Sequence, residues 1–446
     1  MRLGAIALIT AVLTACGGGD SSTSTTPTPP SGTGTVDIAA GDTSGDPANA
    51  FTAISGTPLV TISSPPVVKF TVIDNGAVVS NLTASNASFI IAKLEPGVDG
   101  DPDQWWSYTY RSQTGTTGPS GTPVLASAMQ ATTDPKTACA TPEGGKLTFD
   151  ATTKIYTYVF CTDIKDLAKT NGVVYEPSKV HRVAIQLSYT NSKGETVRIN
   201  PYYDFTIDAN GRSVAATGRK MADIDNCNTC HNQLALHGGG RVDVQYCVMC
   251  HNPGTVDPDS GNVLEMKTMV HKIHAGRRLH NEGEDYTIWG YGNTAHNYAE
   301  VGFPQDLRNC SKCHSASTAT PQGDNWKSAP SKQACLTCHQ SDSDSAWHDM
   351  HIDVLKLGTS VDNVDNNCTS CHGAGKTWSS EKVHWNQNEE NAAKYKVVIQ
   401  STTYSSTTRK VTVKYHVEDT TNANAKWNLT ADCASPTSCS SSTRFG

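Results

Sequence analysis

The chain has 446 residues, enough for two or three domains, but only 37% of them are hydrophobic. That share is low for a large conventional core. The formal net charge of −7 at pH 7 argues against a nucleic-acid partner.

The first fifteen residues have the features of an export signal. Arg2 supplies the positive flank, and residues 6–13 form an apolar run too short to span a bilayer. Residues 13–16, Leu-Thr-Ala-Cys, resemble the bacterial lipobox, which predicts lipidation at Cys16 and anchoring by acyl chains. Gly17 rather than Asp after that cysteine favours the outer membrane. An ordinary cleaved signal with an incidental cysteine is the alternative. Residues 16–35 are rich in Gly, Ser, Thr and Pro and predict a lipidated N-terminus with a flexible linker.

Residues 36–219 have a β pattern. Residues 67–73 run into Asn75-Gly76, the strongest short signal for a hairpin, and further strands are predicted at 88–94, 105–110, 154–160, 181–189 and 196–207. Residues 163–169 are a modest helix candidate. The expected fold is an antiparallel β sandwich or open barrel that serves as a scaffold or docking module. In it His181 is expected to be structural, and the Trp105-Trp106 pair is interpreted as exposed or core aromatics rather than a carbohydrate site.

Five copies of Cys-x-x-Cys-His follow, the attachment signature of c-type haem. Two thiols on one helical turn can both form thioethers, and the histidine is placed as the proximal iron ligand. The signatures are Cys227/Cys230/His231, Cys247/Cys250/His251, Cys310/Cys313/His314, Cys335/Cys338/His339 and Cys368/Cys371/His372. The alternative is zinc, because the spacing of Cys227/Cys230 and Cys247/Cys250 fits a two-pair site. That template does not require a histidine after every pair, so we predict five covalent haem c groups.

Each iron also needs a sixth ligand or an open position, and histidines are in surplus over methionines between Cys227 and His384. We predict bis-histidine ligation. His237 precedes three glycines, and His271 and His274 lie three residues apart on a predicted helix, where they can serve two neighbouring haems. His384 follows the last signature. Spacing does not decide between His348 and His351 as a distal ligand, and His351 is preferred. His280 and His296 are expected as loop histidines or as partners of haem propionates. So little chain per haem predicts a mostly α and loop pentahaem domain over 220–390 with the haems as its core.

Four cysteines remain apart from the haem thiols and Cys16. Sequence proximity favours the disulfides Cys139–Cys161 and Cys433–Cys439, although three pairings are possible. Disulfides and c-type haem both indicate a compartment outside the cytoplasm.

Residues 391–446 predict the start of a second β domain, with strands at 394–400, 410–417 and 426–429. About fifty residues are too few to close a barrel, so edge strands would be left unpaired. We expect a truncated product or a shorter relative of a longer protein.

Taken together, the chain resembles the outer-membrane multihaem cytochromes of the OmcA/MtrC family. The resemblance is carried by the lipobox, residues 200–205 (Asn-Pro-Tyr-Tyr-Asp-Phe), 234–238 (Leu-Ala-Leu-His-Gly), 269–276 (Met-Val-His-Lys-Ile-His-Ala-Gly) and 303–314. It implies a split-barrel domain before a pentahaem domain, with distal ligands at His237, His271, His274 and His384, and less securely at His351. The family carries ten haems, and this chain has five signatures.

The resemblance implies a surface-anchored electron carrier. It would take electrons from an outer-membrane porin–cytochrome conduit and other multihaem cytochromes, and reduce Fe(III) or Mn(IV) minerals, chelated metals or flavins. Such a carrier needs no substrate pocket, and no catalytic residue is predicted. The alternative is a pentahaem reductase of the nitrite-reductase type. In that class one haem is typically held by Cys-x-x-Cys-Lys with an open site, whereas all five signatures here end in histidine. A haem- or zinc-storage module is the third class.

Overall fold

The computed structural model describes residues 59–97, 101–139, 141–339, 349–358, 368–384 and 394–426. Its first part, here called the β domain (59–215), contains fourteen strands. They are β1 Val60–Thr61, β2 Val67–Phe70, β3 Ile73–Asp74, β4 Ala77–Val78, β5 Ala87–Glu95, β6 Gln104–Ser107, β7 Tyr110–Thr114, β8 Ser127–Ala131, β9 Leu147–Asp150, β10 Ile155–Val159, β11 His181–Thr190, β12 Thr196–Ile199, β13 Tyr202–Ile207 and β14 Ser213–Ala215.

Two antiparallel sheets dominate this domain. One has the order β1-β2-β10-β9, and the other has the order β14-β13-β11-β5-β6, with β12 also paired to β11. The long strands β5 and β11 lie at the centre of the larger sheet, where Val183 is opposite Ile91 and Leu187 is opposite Ala87. Both strands are rich in β-branched and aromatic residues, which suits burial within a sheet.

Alternation along β11 gives its two faces different neighbours. Val183, Ile185 and Leu187 are fully buried in the main core of the β domain, between the two sheets. Ala184 on the opposite face belongs to a second apolar cluster, which includes Tyr246 and Met249 from the following part of the chain. The larger sheet therefore packs against the second cysteine motif through one face.

Most predicted strands are present, with shifted ends. Asn75 and Gly76 have positive φ values of 51° and 72°, as a tight hairpin turn between β3 and β4 requires. The predicted strand at 196–207 is divided into β12 and β13. The prediction of a helix at 163–169 is wrong. Asp163 and Asp166 accept hydrogen bonds from the backbone N–H groups of Lys165 and Ala168, both at 3.0 Å, so local side-chain caps stabilise turns there instead.

Residues 220–384, here called the motif region, contain short helices joined by loops. The helices are α1 Ile224–His231, α2 Val244–Cys247, α3 Met266–His274, α4 Gly276–Asn281, α5 Asn325–Ser328, α6 Lys332–Cys335, α7 Thr369–His372 and α8 Ser380–Val383. Two short strands, β15 Thr287–Trp289 and β16 Ala295–Asn297, form a hairpin. Single-turn 3₁₀ helices lie at Tyr291–Asn293 and Cys310–Lys312, and Asp349–Val354 forms a π-helical turn. In the described ranges no helix is both long and apolar enough to cross a bilayer.

Arg182 joins the β domain to the motif region. Its guanidinium, fully buried, forms a two-pronged ion pair with Asp204 at 2.6 and 2.8 Å. It also donates to the backbone carbonyl of Gln245 at 3.1 Å, two residues before Cys247. The Trp105 and Tyr202 rings lie 4.4 and 4.3 Å from the guanidinium carbon. A charge buried this deeply is stable only with such partners, so the contact fixes α2 against the sheet.

The last described element is an amphipathic three-stranded sheet made of β17 Tyr395–Ser405, β18 Lys410–Asp419 and β19 Ala425–Lys426. A register shift between Ile399 and Ser401 keeps apolar residues on one face across the long hairpin. Ile399 lies opposite Tyr415 and Tyr404 lies opposite Val411, and these four side chains are all more than half exposed. This part of the chain therefore presents an apolar sheet face to its surroundings.

Candidate functional site

Each described Cys-x-x-Cys-His segment is folded as one helical turn. The backbone N–H of the histidine donates to the carbonyl of the first cysteine at 2.8 to 3.0 Å in four of the motifs, those ending in His251, His314, His339 and His372. The remaining motif lies within α1. A single turn places the two thiols and the imidazole on adjoining sides of the same short segment.

Aspartate caps stabilise the first two of these turns. The Asp223 side chain accepts from the Asp225 N–H at 3.0 Å at the start of α1, and Asp243 accepts from the Gln245 N–H at 2.7 Å at the start of α2. Both caps satisfy a backbone donor that has no partner within the helix. The caps therefore set where Cys227 and Cys247 emerge from the chain.

The ten motif cysteines differ in how far the protein covers them. A domain with haems as its core leads us to expect sheltered thiols, and Cys250 is indeed buried, but Cys230 and Cys371 are exposed and depart from that expectation. The reason is local, because each is the second cysteine of its motif and lies near the end of a short helix, α1 or α7, that has no buried residue. Hydroxyls of the preceding residues lie nearby, Thr229 at 3.9 Å from the Cys230 sulfur and Ser370 at 3.8 Å from the Cys371 sulfur. The protein therefore shelters the sulfurs of the second motif more than the second sulfurs of the first and fifth motifs.

Ten histidines of the motif region are arranged in five pairs. Each pair combines the histidine of one motif with one of the predicted distal histidines, and the ring centroids lie about the same distance apart in all five. The pairs are His231–His274 at 5.9 Å, His237–His251 at 6.2 Å, His271–His314 at 6.1 Å, His339–His384 at 6.1 Å and His351–His372 at 6.0 Å. In the described residues no three His, Cys, Asp or Glu side chains are grouped as a metal site.

Backbone carbonyls orient several of these imidazoles through Nδ1. His251 is hydrogen-bonded to the carbonyl of Leu264 at 2.7 Å, and His372 to that of Trp378 at 2.7 Å. His274 and His384 use the carbonyl four residues earlier, at 2.8 and 2.9 Å. Because Nδ1 donates to a carbonyl, Nε2 is left as the unprotonated nitrogen that a metal can bind.

Burial keeps several of the paired histidines neutral. It lowers the pKa of His237 to about 4, with Arg241 adding to the effect, and it lowers the pKa of His271 to about 4. Burial also lowers the pKa of His251, His314 and His384. The neutral imidazole is the form that binds a metal.

Burial also disfavours the thiolate form at several motif cysteines. It raises the pKa of Cys247 and Cys335 to about 12 and that of Cys227 to about 11. A zinc site would require these sulfurs as thiolates, whereas a thioether sulfur carries no charge. The surroundings of these sulfurs therefore suit thioether chemistry.

Helix α3 contributes to two of the histidine pairs. His271 faces His314 and His274 faces His231, so histidines three residues apart on one helix lie against the third and the first motif. Asn226 in α1 donates to the carbonyl of Cys313 at 3.2 Å, which holds the same two motifs together. The first and third sites are therefore direct neighbours.

His237 reaches its site from a turn with unusual backbone angles. Its φ is 51°, and Gly238 and Gly239 follow with φ values of 74° and 83°. Only glycine adopts such consecutive left-handed angles at low cost, which explains the glycines that follow this histidine in the sequence. The turn closes through a hydrogen bond from the Gly239 N–H to the carbonyl of Leu236 at 3.1 Å.

The other predicted site residues have separate positions. Cys139 and Cys161 form a disulfide within the β domain. The prediction of loop positions for His280 and His296 is wrong, because His280 lies in α4 and His296 on β16. Both are exposed, and His280 pairs with Asp285 at 2.6 Å. His181 is fully buried in the β domain, with its Nε2 3.1 Å from the Tyr108 hydroxyl. Cys16, His348, Cys433 and Cys439 lie outside the described residues.

Some contacts of the site were not predicted. Arg182 lies in the β domain yet holds the chain beside Cys247, and Asn252, just after the second motif, accepts from the Ser107 N–H at 3.0 Å. The sequence does contain a signal for the role of Arg182. The alternation of residues 181–189 puts Arg182, Ala184 and Gln186 on one face of a strand. The carbonyls that orient the imidazoles leave no sequence signal, because every residue has one.

Comparisons with known proteins show which proteins this chain resembles. Residues 219–385 match the family described as outer membrane cytochrome MtrC/MtrF-like, domains II/IV. The multiheme cytochrome MtrC of Shewanella baltica (strain OS185) is 27% identical over 233 residues, which cover 51% of this chain and 28% of that protein.

Two solved structures have a similar fold. The outer membrane decaheme cytochrome OmcA matches with a TM-score of 0.59 and 25% identity, over 86% of this chain and 54% of its own. MtrC from Shewanella baltica OS185 matches with a TM-score of 0.53 and 22% identity, over 87% of this chain and 52% of its own. The chain thus spans about half the length of these structures. The family match over residues 219–385, the curated relative and the two structures together support the similarity of this chain to the multihaem cytochromes of the OmcA/MtrC family.

Proposed function

We propose that the motif region holds five covalent haem c groups, each with its iron between two histidines, and that the protein carries respiratory electrons to acceptors outside the cell. The uniform spacing of the five histidine pairs, 5.9 to 6.2 Å between ring centroids, is the observation that carries the proposal. Two metal–nitrogen bonds of about 2 Å plus about 1 Å from each nitrogen to its ring centre give about 6 Å.

In this proposal the chain attaches and orients the cofactors. The ten motif cysteines supply the thioether sulfurs, including the exposed Cys230 and Cys371. Haem iron supplies one-electron redox chemistry, and ligation by two histidines favours a low potential. The proximal ligands are His231, His251, His314, His339 and His372, and the distal ligands in the same order are His274, His237, His271, His384 and His351.

The chain keeps neighbouring sites close to one another. Helix α3 bears one ligand each for the first and third sites. Arg278 beside α3 donates to the carbonyl of Cys338 in the fourth motif at 3.2 Å, and Lys327 pairs with Glu381 near His384 at 3.2 Å. Such ties maintain fixed distances between cofactors, which one-electron transfer along a series of haems requires.

The location and acceptors follow from family membership and the sequence. We propose that lipidation at Cys16 anchors the protein at the outer face of the outer membrane, with residues 17–35 as a flexible linker. An outer-membrane porin–cytochrome conduit and other multihaem cytochromes would donate electrons. The acceptors would be Fe(III) or Mn(IV) minerals, chelated metals or flavins.

The test is a haem count combined with spin state. Purified wild-type protein should give five haems in the pyridine haemochrome assay and only low-spin ferric signals by electron paramagnetic resonance. His237→Ala should convert one haem in five to a high-spin form, while the matched His296→Ala on exposed β16 should leave all five low-spin.

Two results would contradict the proposal. One is a haem count below five. The other is a high-spin haem in the wild-type protein together with nitrite turnover, which would instead favour a pentahaem reductase.

A further inference from the structure

A cavity of about 500 Å³ opens beside His274, and three arginines line it. Its lining includes His274, Arg277, Arg278, Phe303, Asp306 and Arg308. The ring of Phe303 meets that of His274 edge to face, with centroids 5.6 Å apart. Three positive charges therefore lie near His274, and each needs an anion to balance it.

Two of the three arginines are already paired with carboxylates. Arg278 Nε lies 2.8 Å from Glu282. Arg308 holds Asp306 through two hydrogen bonds of 2.9 and 2.7 Å, and this contact lowers the pKa of Asp306 to about 2. The charges of these two side chains are therefore satisfied within the protein.

Arg277 differs from both. Its Nη2 donates to the backbone carbonyl of Glu300 at 2.8 Å, which satisfies one donor and leaves the charge unbalanced. In the described ranges of the chain no carboxylate forms an ion pair with it. A guanidinium presents five N–H donors in a planar fork suited to a carboxylate, so this side chain retains the capacity to bind one.

The segment before Phe303 packs closely against Arg277. A Cβ at Gly302 would lie 2.7 Å from Nη1 of Arg277, so any other residue there would displace the guanidinium. A Cβ at Gly276 would lie 1.9 Å from the carbonyl oxygen of Tyr298. The Arg277 N–H also donates to the carbonyl of Val301 at 3.0 Å. Two glycines thus allow the segment 298–303 to lie directly against the start of α4.

We propose that Arg277 binds a propionate carboxylate of the haem held between His231 and His274 and raises the reduction potential of that haem. This inference rests on the proposed haem ligation. Each haem carries two propionate carboxylates. Of the three arginines at this cavity, Arg277 is the one that has no carboxylate partner among the described residues. A positive charge beside the haem favours uptake of an electron, because the reduced state carries one positive charge fewer.

The experiment is a spectroelectrochemical titration of the five-haem protein carrying Arg277→Gln. One of the five redox components should shift to lower potential, by up to a tenfold change in its reduction equilibrium constant, about 59 mV for one electron. Arg277→Lys keeps the charge and should restore most of the potential. The matched control is Arg308→Gln, which removes an arginine of the same cavity that is already paired, and it should leave the titration nearly unchanged.

The outcomes separate this inference from the proposed function. A wild-type protein with fewer than five low-spin haems contradicts the proposed function itself. With five low-spin haems present, an unshifted titration of Arg277→Gln overturns the role of Arg277, and so does an equal shift in Arg308→Gln. Should Arg277→Gln lose the haem, Arg277→Lys decides: retention of haem and potential supports the ion pair, and loss of both with the charge intact contradicts it.

Discussion

The β domain and the motif region build their interiors from different materials. In the β domain, aromatic side chains such as Phe70, Phe89, Tyr156 and Tyr158 are fully buried, and the Phe89 and Tyr158 rings stack with centroids 3.8 Å apart. In the described chain after Asn252, the buried hydrophobic residues are few: Ala275, Leu279, Tyr286, Ala299, Ile352 and Val417. Buried apolar side chains fill the interior of the β domain, whereas the described part of the motif region has too few of them to fill its interior.

Exposed apolar residues of the motif region lie beside the proposed haem ligands. Met350 and Leu355 flank His351 in sequence, and Trp378 and Val383 lie between His372 and His384. Their exposed fractions range from 44 to 61%. Large apolar side chains at such positions are expected to cover a porphyrin, since exposed apolar clusters usually mark a binding site. Under the proposed function, the haems would form the core of this region as well as its redox groups.

The largest expected effect comes from withholding haem. Protein made in a host without c-type cytochrome maturation should keep a protease-resistant β domain, with Tyr246 and Met249 packed on its larger sheet, and lose protection over residues 253–384, where buried apolar side chains are few. Limited proteolysis with mass spectrometry measures this, with the haem-loaded protein as the control. Equal protease resistance of both regions without haem would contradict the inference that the motif region lacks a core made of side chains.

The second prediction concerns the buried Arg182–Asp204 ion pair, which links the β domain to the motif region. Asp204→Asn leaves the buried Arg182 guanidinium without its counter-charge, so the free energy of unfolding should fall by about 3–5 kcal/mol. Urea unfolding followed in the far ultraviolet and in the Soret band reports both regions at once. Glu143→Gln, which breaks an exposed pair with Lys146, should change neither signal. A loss confined to the far ultraviolet would show that Arg182 does not couple the regions.

The β core should also respond to pH through His181. Burial lowers the pKa of this imidazole to about 4, below its usual value near 6.5, so folding favours the neutral form. The stabilisation is therefore fully present above pH 6.5 and declines as the pH falls from 6.5 to 4, by about 3 kcal/mol in all. In His181→Phe the acid-induced loss of unfolding free energy should be smaller by that amount. Identical pH profiles for the two proteins would refute the assignment.

The smallest effect concerns the cap of α1. Asp223→Ala removes the acceptor for the Asp225 N–H and should cost about 1 kcal/mol of local stability. Asp223→Asn keeps an acceptor and is the matched control. Hydrogen exchange of the α1 amides measures the change. No difference between the two variants would mean that the attached haem, rather than the cap, stabilises this turn.

Sequence patterns predicted some parts of this molecule better than others. The motif spacing indicated one helical turn at each signature, and alternation located β5 and β11, because both depend on local periodicity. The same reasoning selected the ten histidines that the structure places in pairs, but it could not say which distal histidine faces which motif, since that depends on loops folded in three dimensions. Nor could it separate the exposed Cys230 and Cys371 from the buried Cys250, because all five signatures have the same spacing. The prediction of a helix at residues 163–169 failed because the amino-acid composition does not show that aspartate side chains stabilise turns there.

Helix α3 carries a consequence for how this sequence can change. His271 and His274 face different partner histidines from the same α-helix. Adding a single residue between them would rotate the second imidazole by about 100° around the helix axis. Such an insertion would disconnect the first motif from its partner while the third remained intact. The three-residue separation of His271 and His274 is therefore constrained, because both imidazoles must reach their partners from one helix.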